Sequence, residues 1–366
     1  MALLDRYIWR QASWPSLLAL IALNLLFLLL QLLRIGGQAL GMGIGFAEVA
    51  EISLLMLPAL AGFTVPTSAL IGIMLAFGRL AEDGELAAWL SSGVGPRRLL
   101  RAPLALGTVA ALLTACFSLW LGPLSGERLR LQALSVARRN ITASMRQGRF
   151  FEEIPDLVLL PGSPDGNGGW RGLLVYDRRQ APRHTLLLAE GARLHEANDD
   201  YQLQLELTRG QLHLVDWRRQ DYTLAHFERG TFRLELGQLL EQRTSFLSAT
   251  DHLPWWELKR LAEDPTSAPR LRRLAEVTCQ RRLVFPVSAP LFCWLGVLLT
   301  LSRIRTGRWP NLWLAAGLVA IYYLLMRFSD TLAEKMTSWP GLAPWLPVGA
   351  LVAMALWLRP QAGAPR

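Results

Sequence analysis

The chain has 366 residues, 52% of them apolar and 18% charged, with a formal net charge of +9 and a mean hydropathy of +0.26. Soluble domains carry roughly 25% charged residues, so this composition excludes a disordered chain, and three cysteines exclude a disulfide-stapled secreted scaffold. So modest a hydropathy in so apolar a chain points to a mixture: several spanning helices and a sizeable water-facing domain.

The positive charge is spread along the chain and often flanks apolar runs, which is not a nucleic-acid pattern. Of the 38 basic residues only Lys259 and Lys335 are lysines. A Walker A loop needs a Gly-Lys pair to bring the amine to the nucleotide phosphates. Lys259 follows Leu258 and Lys335 follows Glu334, so the chain is not a P-loop ATPase by itself.

A helix crosses a bilayer with about 20 predominantly apolar residues, because lipid offers no partner for backbone polar groups. Such stretches occur six times: 15–33, 52–78, 102–126, 283–302, 309–326 and a last one ending at Leu358. The first is longer than a signal-peptide core of about 7–15 residues and is read as a retained helix. Loops rich in Arg and Lys stay in the cytoplasm. Arg6 and Arg10 precede the first span, Arg79, Arg97, Arg98 and Arg101 lie between the second and third, and Arg303, Arg305 and Arg308 lie between the fourth and fifth. With Arg359 and Arg366 at the other end, this places both termini in the cytoplasm.

Residues 127–282 then fall on the outer side, enough for a domain with its own core. Apolar residues alternate at Leu203, Leu205 and Leu207, at Leu212 and Leu214, and at Phe232, Leu234 and Leu236, the period of a half-buried strand. Earlier runs at 158–160, 173–176 and 185–188 read as strands, with turn clusters at 161–169 and 198–200 between strands. The expected fold is therefore an α-helical membrane protein of six spans with an inserted all-β, sandwich or jelly-roll-like domain. It divides into a first half (1–126), the β insert with helical flanks at 127–146 and 255–280 (127–282), and a second half (283–366).

Residues that could carry chemistry are few. His184, His195, His213, His226 and His252 are scattered singly without metal-ligand spacing. Cys116 and Cys293 sit inside apolar runs, as packing cysteines do. The spans lack the buried acids of a proton-coupled carrier. No metal, cofactor or catalytic group is expected, and the chain reads as non-enzymatic. The loop between spans two and three is more informative. Leu86, Trp89 and Leu90 share one helical face, Glu85 sits at the helix start where the dipole favours a carboxylate, and Gly93, Gly95 and Pro96 stop the helix. Such a short helix, about 82–92, suits either a groove on a partner or the membrane surface. Arg34, at the outer end of span one, suits either snorkelling to headgroups or bidentate contact with an anionic ligand. Arg327 and Asp330 share a face of span five by i,i+3 spacing, close enough to pair with each other. The second span holds Pro58, Pro66, Gly62, Gly72 and Gly78, which suits kinks or close helix approach.

The run Leu70-Ile71-Gly72-Ile73-Met74-Leu75-Ala76-Phe77-Gly78-Arg79-Leu80, followed by Glu85-Leu86 and Gly93, resembles the LptF/LptG family of lipopolysaccharide export permeases, closer to LptF. Glu276, Arg281-Arg282-Leu283 and Pro286 resemble the family's entry into span four, and Arg6-Tyr7 and the six-span layout agree. The resemblance implies a transmembrane subunit of an ABC-type exporter, paired with an LptG-like paralogue, seated on an LptB-like ATPase dimer and joined by an LptC-like bitopic subunit. ATP and Mg would belong to that ATPase, with no cofactor on this chain. It implies that Glu85, with Leu86, Trp89 and Leu90, couples to the ATPase, and that Arg34 and Arg327 face lipopolysaccharide phosphates in the outer leaflet of the inner membrane. Gln31 departs from a position where relatives carry a second basic residue, which would leave phosphate binding to be shared. The rival expectation is a membrane scaffold or sensor whose β domain binds a protein partner without transport.

Overall fold

A computed structural model describes residues 3–42, 46–144, 150–154, 156–165, 169–179, 183–196, 202–216, 218, 221–235, 250–302, 308–336 and 340–358. The helices are α1 (Leu3–Met42), α2 (Phe46–Glu82), α3 (Glu85–Ser91), α4 (Pro96–Leu99), α5 (Arg101–Cys116) and α6 (Gly122–Ser144) before the strands. After them come α7 (Trp255–Glu263), α8 (Pro269–Leu301), α9 (Arg308–Lys335), a 3-10 turn at Pro340–Trp345 and α10 (Leu346–Leu358). Six helical stretches among the described residues are long and apolar enough to cross a membrane, one for each predicted span. The helical flanks are present, though α7 and α8 are separate. The side chain of Asp264 accepts from the Thr266 amide at 2.9 Å and the Thr266 hydroxyl at 2.6 Å, an Asx turn that ends α7.

In the helical unit, α8 is the hub, packed by both α2 and α5. Ile73, Phe77 and Leu80 of α2, Leu106 and Ala110 of α5, and Ala289, Cys293 and Val297 of α8 share one buried cluster. Lipid tails supply no hydrophobic drive between helices, so close backbone approach at small residues must hold them. At Gly107 a Cβ would come within 2.8 Å of Pro290 Cα on α8, and at Gly72 within 2.6 Å of Ser16 Cα on α1.

Prolines in apolar helices leave acceptors without donors. Pro286 has no N–H for the Arg282 carbonyl one turn earlier. Ser118 Oγ donates to that carbonyl at 3.1 Å. Ser118 lies in the wider π turn Phe117–Leu121 that joins α5 to α6. In α2, Pro58 and Pro66 withhold N–H donors from the carbonyls of Leu54 and Gly62, while the hydroxyls of Thr67 and Ser68 bond to the different carbonyls of Phe63 and Val65, each at 2.8 Å.

The β unit is one six-stranded antiparallel sheet whose strands pair in sequence order: β1 (Phe151–Ile154), β2 (Leu157–Pro164), β3 (Gly169–Asp177), β4 (Arg183–Glu196), β5 (Gln202–Asp216) and β6 (Asp221–Glu235). Runs 203–207 and 212–214 thus belong to one strand, and 161–164, expected as turn, continue β2. Leu236 and the 198–200 turn lie outside the described residues. The registers align Gly162, Gly172, Glu190, Arg209 and Glu228 across five strands. Gly172 (φ 82°) and Arg209 (φ 45°) adopt left-handed backbone there, which breaks the pleat. Burial accordingly changes phase in β4, from Leu187 and Ala189 to Ala192. The core of the sheet, with Leu159, Val175, Leu205 and Leu207, lies on both sides of this crease. At the end of β3, burial pushes the Asp177 carboxyl up, but the hydrogen bonds and charge of Arg179 outweigh that and hold it below its ordinary value.

Two outcomes follow for thermal unfolding in detergent. Ser118→Ala should lower stability by about 1–3 kcal/mol by orphaning the Arg282 carbonyl. In a Pro286→Ala background, where a backbone N–H returns, the same substitution should cost far less; equal losses in both backgrounds would disprove the pairing. Gly107→Ala should cost about 1–3 kcal/mol through overpacking, whereas Gly317→Ala on α9, where a Cβ meets nothing within 4 Å, should be neutral or better.

Candidate functional site

The chain leaves α2 through Gly84, whose backbone is left-handed (φ 73°), a conformation open to glycine without steric cost. That turn delivers Glu85 as the first residue of α3. Leu86, Trp89 and Leu90 share a face, as their spacing implies, and that face is turned onto this chain's own bundle. Leu86 is fully buried, and Trp89 and Leu90 pack against the cluster that includes Ile8, Phe77, Leu80 and Leu99. Ala87, Ala88 and Ser91 are exposed, and Glu85 is half-buried.

Glu85 is held by a residue 78 positions away. The Tyr7 phenol on α1 donates to Glu85 Oε1 at 3.0 Å, and Gln11 Nε2 donates to the same phenol oxygen at 3.3 Å. The Tyr7 and Trp89 rings meet edge to face, centroids 6.0 Å apart and planes at 85°, a geometry that aromatic quadrupoles favour. Tyr7 is thus part of the α3 site, although the sequence marks it only as half of an Arg6-Tyr7 pair. Nothing local in a sequence signals a contact across such a separation.

At the opposite end of the spans the acidic and basic groups link several helices. Asp330 reaches Arg281 Nη1 at 3.9 Å, and Arg281 Nη2 also binds Asp251 Oδ1 at 3.0 Å. Arg327 is exposed and donates Nε to the Tyr323 hydroxyl at 3.0 Å, with its guanidinium 5.5 Å from that ring's centroid. Arg34 lies on α1, but its side chain is outside the described residues; Gln31, one turn earlier, is buried. Arg282 is buried and donates to the Asp251 and Leu253 carbonyls at 2.6 and 2.7 Å. Thr250 and Thr278 share a hydrogen bond at 2.9 Å, Glu276 accepts from the Gly341 amide at 3.3 Å, and Gln280 accepts from Trp345 Nε1 at 3.1 Å. The first turns of α8 thereby tie down both the segment entering α7 and the turn entering α10.

In the β unit the crease forms an open cavity of about 890 Å³. Leu160, Leu174, Leu188 and Phe227 form its apolar lining, and Gln211, His226, Glu228 and the Arg209–Glu190 ion pair, 3.1 Å apart, line it as well. Among the described residues no three His, Cys, Asp or Glu side chains gather as a metal site. The helical unit thus holds a short helix seated on its own bundle, and the β unit an open groove of mixed apolar and charged lining.

The family described as "Lipopolysaccharide export system permease LptF/LptG" matches residues 6–360. Among curated proteins, the lipopolysaccharide export system permease protein LptF of Escherichia coli K12 is 27% identical over 201 residues, 54% of this chain and 55% of the relative. The LptF proteins of E. coli O157:H7 and Shigella flexneri match at the same identity and coverage. The chain thus spans about half the length of the curated relatives it matches. The family match takes in both helical halves, α3 and the β insert, and by it this chain, a multi-pass membrane protein, belongs to the LptF/LptG family of lipopolysaccharide export permeases.

Proposed function

We propose that this chain is a permease subunit of an ABC-type exporter, which draws lipopolysaccharide from the inner membrane and passes it through its β domain towards the outer membrane. The observation that carries the reading is the family match across residues 6–360. It is supported by α3, whose polar and small residues face out while Leu86, Trp89 and Leu90 grip the bundle. A helix docked in that way passes a push from a partner into the spans. ATP and Mg belong to an LptB-like partner ATPase in this scheme. An LptG-like paralogue completes the lipid cavity and an LptC-like subunit joins it. Both termini and α3 are cytoplasmic and the β domain periplasmic, by the loop charges.

The steps assigned to this chain are mechanical. Glu85 engages a basic residue of the ATPase; with Oε1 held by Tyr7, the carboxylate keeps acceptor capacity for a charged donor. Closure of the ATPase dimer moves α3, and through it α2 and α1, so that the cavity narrows. Arg34, and Arg327 with its exposed guanidinium, contact lipid phosphates. The expelled acyl chains pass along the crease of the β domain, over Leu160, Leu174, Leu188 and Phe227. Each CH₂ left in water would cost about 0.8 kcal/mol, and those contacts offset part of that cost.

Purification of the tagged chain from native membranes in mild detergent should recover a small ATPase, a second six-span chain and lipopolysaccharide, identified by mass spectrometry. Recovery of the chain alone, or with a periplasmic protein only, would favour a scaffold or sensor. Glu85→Arg should abolish lipid transport while the variant still inserts and unfolds at the wild-type temperature, since Glu85 contributes one partly exposed hydrogen bond to the fold. Normal transport by that variant would remove Glu85 from the coupling scheme.

A further inference from the structure

We propose that Tyr7 is the positioning residue of the coupling helix, joining α3 to the inner end of α1 so that the two move as one body. The inference rests on the permease reading above and deepens it. Tyr7 makes two different contacts with α3, a hydrogen bond to Glu85 and an edge-to-face ring contact with Trp89. The first orients the carboxylate; the second braces the helix one turn further on.

The consequence for α1 comes from how that helix is held. Leu17, Leu18, Ile21, Leu25 and Leu26 are exposed, so the middle of α1 is packed on one side only. Tyr7 aside, its described ties are Ile8 and Ala12 in the core with Leu4, Trp9 and Leu20 packed against it, the Ser16–Gly72 crossing, the Asn24–Thr64 hydrogen bond at 3.2 Å and the Phe27–Phe63 ring contact, centroids 6.4 Å apart. A helix with so little side support turns or shifts with whatever grips its end. Tyr7 is that grip on the α3 side. α1 is helical without interruption from Leu3 to Met42, and the 27 residues from Tyr7 to Arg34 span about 40 Å at 1.5 Å per residue. Motion of α3 thereby reaches the outer end of span one directly, in parallel with the route through α2. Without Tyr7 the α1 route keeps only the packing of Ile8 in the cluster shared with Leu86, and ATP hydrolysis would move less lipid per turnover.

The test uses the full complex, assembled with its own ATPase and paralogue in proteoliposomes loaded with lipopolysaccharide, reading lipid moved and ATP hydrolysed in the same sample. Tyr7→Phe, which keeps the ring and removes the hydroxyl, should lower lipid moved per ATP on the order of threefold. Tyr7→Ala, which removes both contacts, should lower it further. Assembly, followed by co-purification of the ATPase, should be unchanged in both. If Tyr7 acts through Glu85, adding Tyr7→Phe to Glu85→Gln should lower the ratio little beyond Glu85→Gln alone. An unchanged ratio in both Tyr7 variants, an additive double variant, or loss of the ATPase from the Tyr7→Phe complex would each overturn the proposal. A wild-type complex that hydrolyses ATP without moving lipid would instead overturn the transport reading, and the role of Tyr7 with it.

Discussion

A backbone that passes through lipid must pair every donor and acceptor internally, and much of the helical unit is organised around one place where that rule is strained. Pro286 removes the donor that α8 would otherwise supply to the Arg282 carbonyl. Ser118 replaces it from the π turn of the neighbouring span. The wider turn is what carries a hydroxyl to that position, and the same stretch of α8 sends the Arg282 side chain to two carbonyls of the segment leaving the β insert. Orphaned carbonyls at such a site cost about 1–3 kcal/mol each. Arg281, Glu276 and Gln280 extend the same helix's reach to Asp330 and to the turn entering α10.

With α8 so anchored, the two flanking helices pack on it through small residues, and the loop helix α3 completes the other end. The apolar face of α3 is buried in its own bundle, so the helix is a rigid handle on the spans. Its exposed side is small and polar, with one carboxylate held in place by a phenol from α1. Such a surface can be pushed without being pulled out of its seat. The coupling role proposed for α3 rests on that division between a gripping face and an exposed face.

The β unit departs from a regular sheet along one line of residues. The aligned positions from Gly162 to Glu228 interrupt the pleat, and the sheet acquires a groove of mixed apolar and charged lining. Glycine at 172 tolerates the left-handed backbone freely; at 209 an arginine accepts it, with its side chain paired to Glu190 across the strand boundary.

Hydrophobic length and loop charge are local properties, so the number and position of the spans, the β insert and the loop helix with Leu86, Trp89 and Leu90 on one face were all legible in the sequence. Period-two alternation marked β5 twice, as two short strands, because the left-handed Arg209 interrupts the pattern inside a single strand. The strand order, the crease, the pairing of Asp330 with Arg281 beyond its own helix, and the role of Ser118 were decided only by the tertiary structure. So was the direction in which the apolar face of α3 points. Each of these depends on which distant segment comes to lie alongside, as Tyr7 comes to lie beside Glu85. Periodicity tells which residues share a face; only packing tells what that face meets.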